Sequence, residues 1–156
     1  MTVHPAEGGA GTIDAGRLWA GGLATAIVAA LVGLAGILLA RGVFSVPVLA
    51  PAGQGTWGDA DTTVYALSCA ATAVLATALL HLLLVSTPQP LLFFGWIITL
   101  ATVVAAIAPF VTKGSTSAKI ATGAINLAVG IAIGVLLSGA GRSAVRRPPI
   151  TARPGR

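Results

Sequence analysis

LWAGGLATAIVAALVGLAGILLA, residues 18–40, carries no charged side chain. At about 1.5 Å of rise per residue, a helix of this length crosses a hydrocarbon core of roughly 30 Å with some tilt. A secretory signal peptide would have a shorter apolar stretch behind a more basic start, whereas only Arg17 stands at this border. The segment reads as a retained membrane helix. A second apolar run covers 62–85, and Asp59 and Asp61 stand ahead of it, either able to cap its first turn and complement the positive helix end. Ser86, Thr87, Pro88, Gln89 and Pro90 leave room only for a reversal, so the second run and the third, 91–111, form an antiparallel hairpin. Ser115, Thr116 and Ser117 then offer capping hydroxyls for a fourth helix over 118–138, ended by Gly139, Gly141 and an Arg- and Pro-rich tail.

Composition points the same way. Of 156 residues, 56% are apolar and 8% charged, against roughly 25% charged in ordinary soluble domains. The charges avoid the centres of the apolar runs, as a bilayer requires when an ion at its midplane costs about 2.5–3.5 kcal/mol on insertion scales. The expected fold is all-α, a polytopic four-transmembrane-helix bundle over 18–138. A disordered tail is expected at 1–17 and a basic, Pro-rich tail at 139–156, since neither has much apolar surface to bury.

The net charge of +5 comes largely from Arg142, Arg146, Arg147, Arg153 and Arg156, without interleaved aromatics, so no nucleic-acid partner is expected. With Arg17 these place six basic residues on one side of the membrane, against Arg41, Lys113 and Lys119 on the other. The positive-inside rule then puts both termini in the cytoplasm and the 42–60 and Lys113 loops outside. Trp19 and Trp96 fall near the inner interface, and Trp57, Tyr65 and Phe110 near the outer one.

Helices in lipid associate through close packing and interhelical hydrogen bonds, so small residues at helical spacing should mark contacts. Asn126, Gly130 and Gly134 share one face of the fourth helix, either as an internal packing face or as a homodimer seam. Gly22, Ala26 and Ala30 repeat the pattern in the first helix, and Ala66, Ala70, Ala73 and Thr77 in the second. Gly95, Thr99, Thr102 and Ala106 share the third, where the hydroxyls can bond back to their own helix.

Few residues could carry chemistry. His81 is the one ionisable group well inside an apolar run, which makes it a candidate for haem, metal or proton transfer. It lies about one turn from the helix end with no carboxylate in the same span, so an interfacial or helix-pairing role accounts for it first. Asp59 and Asp61 beside Trp57 could hold a cation or partner, though capping explains them more simply. The 42–51 segment is itself apolar and should lie on the outer surface or dip between helices. Cys69 is the only cysteine, which leaves no dithiol redox pair. No Asp or Glu lies within a span to drive proton-coupled export, and no Walker, Rossmann or zinc-protease pattern occurs. No catalytic, cofactor or metal site is expected.

The string from His81 through Ser86, Thr87, Pro88, Gln89 and Pro90 to Phe93, Phe94, Gly95 and Trp96 is less generic than hydropathy alone. Together with Arg41, Gly42, Val43, Phe44 and the Asn126 to Gly134 face, it resembles a family of small actinobacterial four-helix membrane proteins of unknown function. The resemblance covers roughly Leu18 to Ser138. It implies a bacterial plasma membrane and no site residues. The expected role is a non-enzymatic accessory or envelope-associated protein acting through the bilayer and a membrane-protein partner or a second copy. The alternative is an oligomeric channel or transporter for a small solute.

Overall fold

A computed structural model describes residues 13–43, 45–51, 57–59 and 61–145. Among these, four helices are long and apolar enough to cross a membrane. They are α1 (Ala15–Gly42), α2 (Thr62–Ser86), α3 (Pro90–Ile107), which continues as a 3-10 turn over Ala108–Val111, and α4 (Thr116–Ala144). The protein is an all-α, multi-pass membrane bundle. Between α1 and α2 lies a short antiparallel ribbon of β1 (Leu49–Pro51) and β2 (Trp57–Asp59).

The helix starts follow local chemistry. Asp14 accepts the amide of Arg17, Asp61 accepts those of Thr63 and Val64, and Ser115 accepts that of Ala118. These bonds satisfy donors that the first turn of a helix leaves unpaired. α3 opens on Pro90, whose missing N–H is no loss at that position.

Two helices are longer than expected. α1 begins at Ala15 rather than 18, and α4 runs to Ala144 rather than 138. Residues 13–17 and 139–145 therefore belong to the folded unit and not to tails. The Asp14 amide donates to the Ala144 carbonyl at 3.0 Å, Ile13 bridges Val145, and Ala144 is fully buried. Gly139 and Gly141 do not end the helix, because near a bilayer continued helix is the least costly way to pair their backbone groups. Gly141 also lies under Leu80 and Leu91, whose terminal methyls would have to shift to admit a side chain. The expected tail before residue 13 and the arginines from Arg146 onward lie outside the described residues.

α1 packs against both α2 and α4, and α3 packs mainly on α4. Ala26, Ala29, Ile37, Leu80, Ile133 and Leu137 fill the centre. Two joints carry the closest approaches. Thr77 of α2 seats against Gly22 of α1, and Thr102 of α3 against Gly130 of α4, each leaving no room for a methyl group. Both hydroxyls bond back to their own helices, Thr77 to the Ala73 carbonyl at 2.8 Å and Thr102 to that of Ile98 at 2.7 Å. Neither threonine therefore needs a polar partner across the joint.

The segment after α1 turns back through Ser45, whose positive φ of 53° is in the left-handed region, and the Val46 amide bonds the Ala40 carbonyl. Val48 is fully buried, and the Leu49 amide donates to Thr122 of α4 at 2.9 Å. Residues 45–49 thus dock on the end of α4. The outward-facing helix surfaces are apolar, with Leu23, Leu67, Leu75, Val104 and Val135 each more than 60% exposed. Lipid is the solvent that accepts them.

Gly22→Leu and Gly130→Leu should each cost about 1–3 kcal/mol by overpacking, read as a lowered thermal midpoint in lipid nanodiscs. Gly139→Leu should leave the midpoint unchanged, because nothing stands within 4 Å of that position.

Candidate functional site in the cleft between α2 and α3

Pro109 has no N–H, so the carbonyl four residues earlier, that of Ala105, loses its helical donor. In lipid no water replaces it. Asn126 of α4 does, with Nδ2 donating to Ala105 O at 2.7 Å. Gly123, one turn earlier on α4, makes this approach possible: a Cβ there would lie 2.8 Å from the Ala106 carbonyl oxygen. The Asn126 amide oxygen in turn accepts the Tyr65 hydroxyl of α2 at 2.5 Å. One side chain therefore ties three helices together.

Tyr65 was expected in an outer aromatic belt but is buried, turned inward by this bond. Phe110 and Trp96 stay about half or more exposed. The Trp57 side chain lies outside the described residues.

Below the clamp, α2 and α3 enclose a cavity of about 200 Å³ floored by α4. α2 contributes Tyr65, Ser68, Cys69 and Thr72, spaced i, i+3, i+4 and i+7 and hence on one face. α3 contributes Ile98, Ala101, Thr102 and Ala105; α4 contributes Asn126, Val129, Gly130 and Ile133. Ser68, Thr72, Ala101 and Ala105 are exposed, so the cavity opens sideways towards lipid. Ser68 donates to the Val64 carbonyl and Thr72 to that of Ser68, both at 2.8 Å.

The residues singled out from sequence fall in different places. Asn126 and Gly130 line the cleft, and Gly134 faces Ile98 in a groove on the other side of α3. Gly22 and Ala26 lie in the joint of α1 with its neighbours. His81 sits at the opposite end of the bundle, where Trp19 Nε1 donates to its Nδ1 at 3.4 Å and the rings meet edge to face. Asp61 is the cap of α2; Asp59 pairs with Leu49 through the backbone of the ribbon, and its carboxylate is outside the described residues. Among the described residues no group of three or more His, Cys, Asp and Glu stands close enough to hold a metal ion.

The sequence reading of α2 through its alanine face does not mark Tyr65, Ser68 and Thr72 as a cleft face. Their helical spacing was the available signal. A second was the pairing of a proline-broken helix with an asparagine on a neighbouring span.

Residues 13–143 match a family model described as a family of unknown function (DUF6069). Comparison with curated proteins and with solved structures yields no match. The matched range nearly coincides with the folded unit, from Ile13 to the end of α4.

A double-mutant cycle tests the clamp. Asn126→Ala alone should cost about 1–2 kcal/mol, the upper range for a hydrogen bond between membrane helices. In a Pro109→Ala background, which returns an N–H to residue 109, the same change should cost less than about half as much. Equal costs in both backgrounds would mean that the Asn126 bond to Ala105 carries no stability.

Proposed function

Because the chain belongs to the DUF6069 family of unknown function, we propose its role from its architecture: a non-enzymatic accessory protein of the bacterial plasma membrane that holds a transmembrane partner against α3. The carrying observation is the bareness of that helix. Only Phe94 and Thr102 of α3 are buried, against seven to nine residues in each of the other three helices. On its outer side a groove of about 440 Å³ runs between α3 and α4, lined by Gly95, Thr99, Gly134 and Ser138 among others. Gly95 has open space where a side chain would be. In lipid, where apolar burial gives no drive for association, such small and hydroxyl-bearing residues let a neighbouring backbone come close.

The proposed orientation has both termini in the cytoplasm. Arg17 and Arg142 lie at one end of the bundle and Arg41, Lys113 and Lys119 at the other; with the four arginines that follow Arg142 in the sequence counted on its side, the balance is six against three. A homo-oligomeric small-solute channel is the second reading, favoured by the exposure of Thr99 on the same groove as Ser138.

Extraction into native-lipid nanoparticles followed by intact-complex mass spectrometry separates the two. One copy with a stoichiometric membrane protein supports the accessory role; a closed homo-oligomer without other protein supports the channel. Gly95→Leu should change stability by less than about 0.5 kcal/mol yet lower partner recovery roughly tenfold, equivalent to about 1.4 kcal/mol of lost contact. A fluorescent protein fused after Arg156 and active only in the cytoplasm should light up; a dark fusion of normal abundance would reverse the topology.

A further inference from the structure

The hydroxyls of the α2–α3 cleft have all spent their donors. Ser68, Thr72 and Thr102 give theirs to carbonyls of their own helices, and Tyr65 gives its own to Asn126. An oxygen that donates still has a lone pair to accept with, and those of Ser68 and Thr72 are on exposed side chains, whereas Tyr65 is buried and the Thr102 oxygen is pressed against Gly130. Asn126 uses one of its two N–H groups on Ala105, and the other remains in the site's inventory. The cavity thus offers two oxygen acceptors, those of Ser68 and Thr72, and one amide donor above walls formed by Ile98, Ala101, Val129 and Ile133.

That inventory selects its ligand. No Lys, Arg or His lines the cavity, so a phosphate would meet no cation; no Asp or Glu lines it, so an ammonium would meet no anion. A neutral hydroxyl both donates to such oxygens and accepts from an amide. A water takes up about 30 Å³ of liquid, so about 200 Å³ holds a polar head and the first few methylenes of one chain, and is far too small for a helix. The sideways opening, with Ser68 and Thr72 exposed, leaves the rest of the chain in the bilayer. We propose that this cleft binds a neutral membrane alcohol of long-chain or isoprenoid type, hydroxyl inward, entering laterally from the lipid. This site is separate from the partner groove on the other side of α3 and stands without it.

The test uses the purified full-length protein in nanodiscs of phosphatidylcholine and phosphatidylglycerol. The probe is a long-chain alcohol with a photoreactive diazirine in its chain, and its methyl ether is the reference. The alcohol should label peptides of α2 and α3 around the cleft at least about fivefold more than the ether, the factor that one net hydrogen bond of about 1 kcal/mol gives. The preference should vanish in the Ser68→Ala and Thr72→Val double variant, whose hydroxyls bond only to their own helix, so the fold should hold; an unchanged thermal midpoint checks this. Thr99→Val, outside the cleft, should keep the preference. Gly95→Leu, which tests the partner groove, should keep it too. Equal labelling by alcohol and ether, or a preference that survives in the double variant, would overturn the assignment.

Discussion

The structure depends on how a bilayer treats an unpaired carbonyl. Water would satisfy the Ala105 oxygen freed by Pro109, but lipid offers it no donor. α4 supplies the donor from Asn126, and the same amide accepts Tyr65 from α2. A local defect in α3 becomes a fixed point for three helices. Its geometry sets which faces meet: Gly123 must lie against the opened turn, and Gly130, about two turns farther along α4, then comes opposite Thr102.

Everything beyond that point is packing. α1 is the hub, with Thr77 seated against its Gly22 and Ala140 of α4 against its Gly21. α3 has no contact of comparable extent with α1. It is held along α4, and it meets α2 around the turn, where Leu80 and Leu91 close over Gly141. Two helices joined by the shortest link in the chain therefore diverge away from that link, and the cleft is what remains between them. In water an opening of this kind would have to be hydrated or filled. In a membrane its walls can be met by lipid chains, so the fold does not need to close it.

The sequence made the spans visible because charge avoidance and length are imposed by the solvent, independently of tertiary detail. Asp61, Ser115 and the proline turn were equally legible, since caps and reversals are local. What could not be read were properties of neighbours. The alanine face of α2 and its Tyr65, Ser68 and Thr72 face are both regular, and only the placement of α4 decides which one borders a cavity. Gly139 and Gly141 look like a stop signal until Leu80 and Leu91 are seen above one of them. The β1–β2 ribbon escaped notice because strands of three residues carry too little periodicity to stand out from a loop. Asp14, which caps α1, stands in a polar, Gly-rich stretch ahead of the apolar run, where hydropathy alone marks no helix start.

The two openings flank a single helix. α3 separates the cleft from the outer groove, and Thr102, Gly130 and Ile98 line both. Its hold on the bundle runs through α4, so a ligand wedged on the α2 side and a helix pressed on the outer side act on the same weakly held element from opposite directions. If each prefers a different setting of α3, their affinities are coupled, and the coupling must be equal in both directions. Thr102 is placed to carry it: its hydroxyl and methyl both press into the space that Gly130 leaves empty, and the residue borders both openings. A small displacement of α3 cannot alter one opening without altering the other, because Ile98, Thr102 and Gly130 border both.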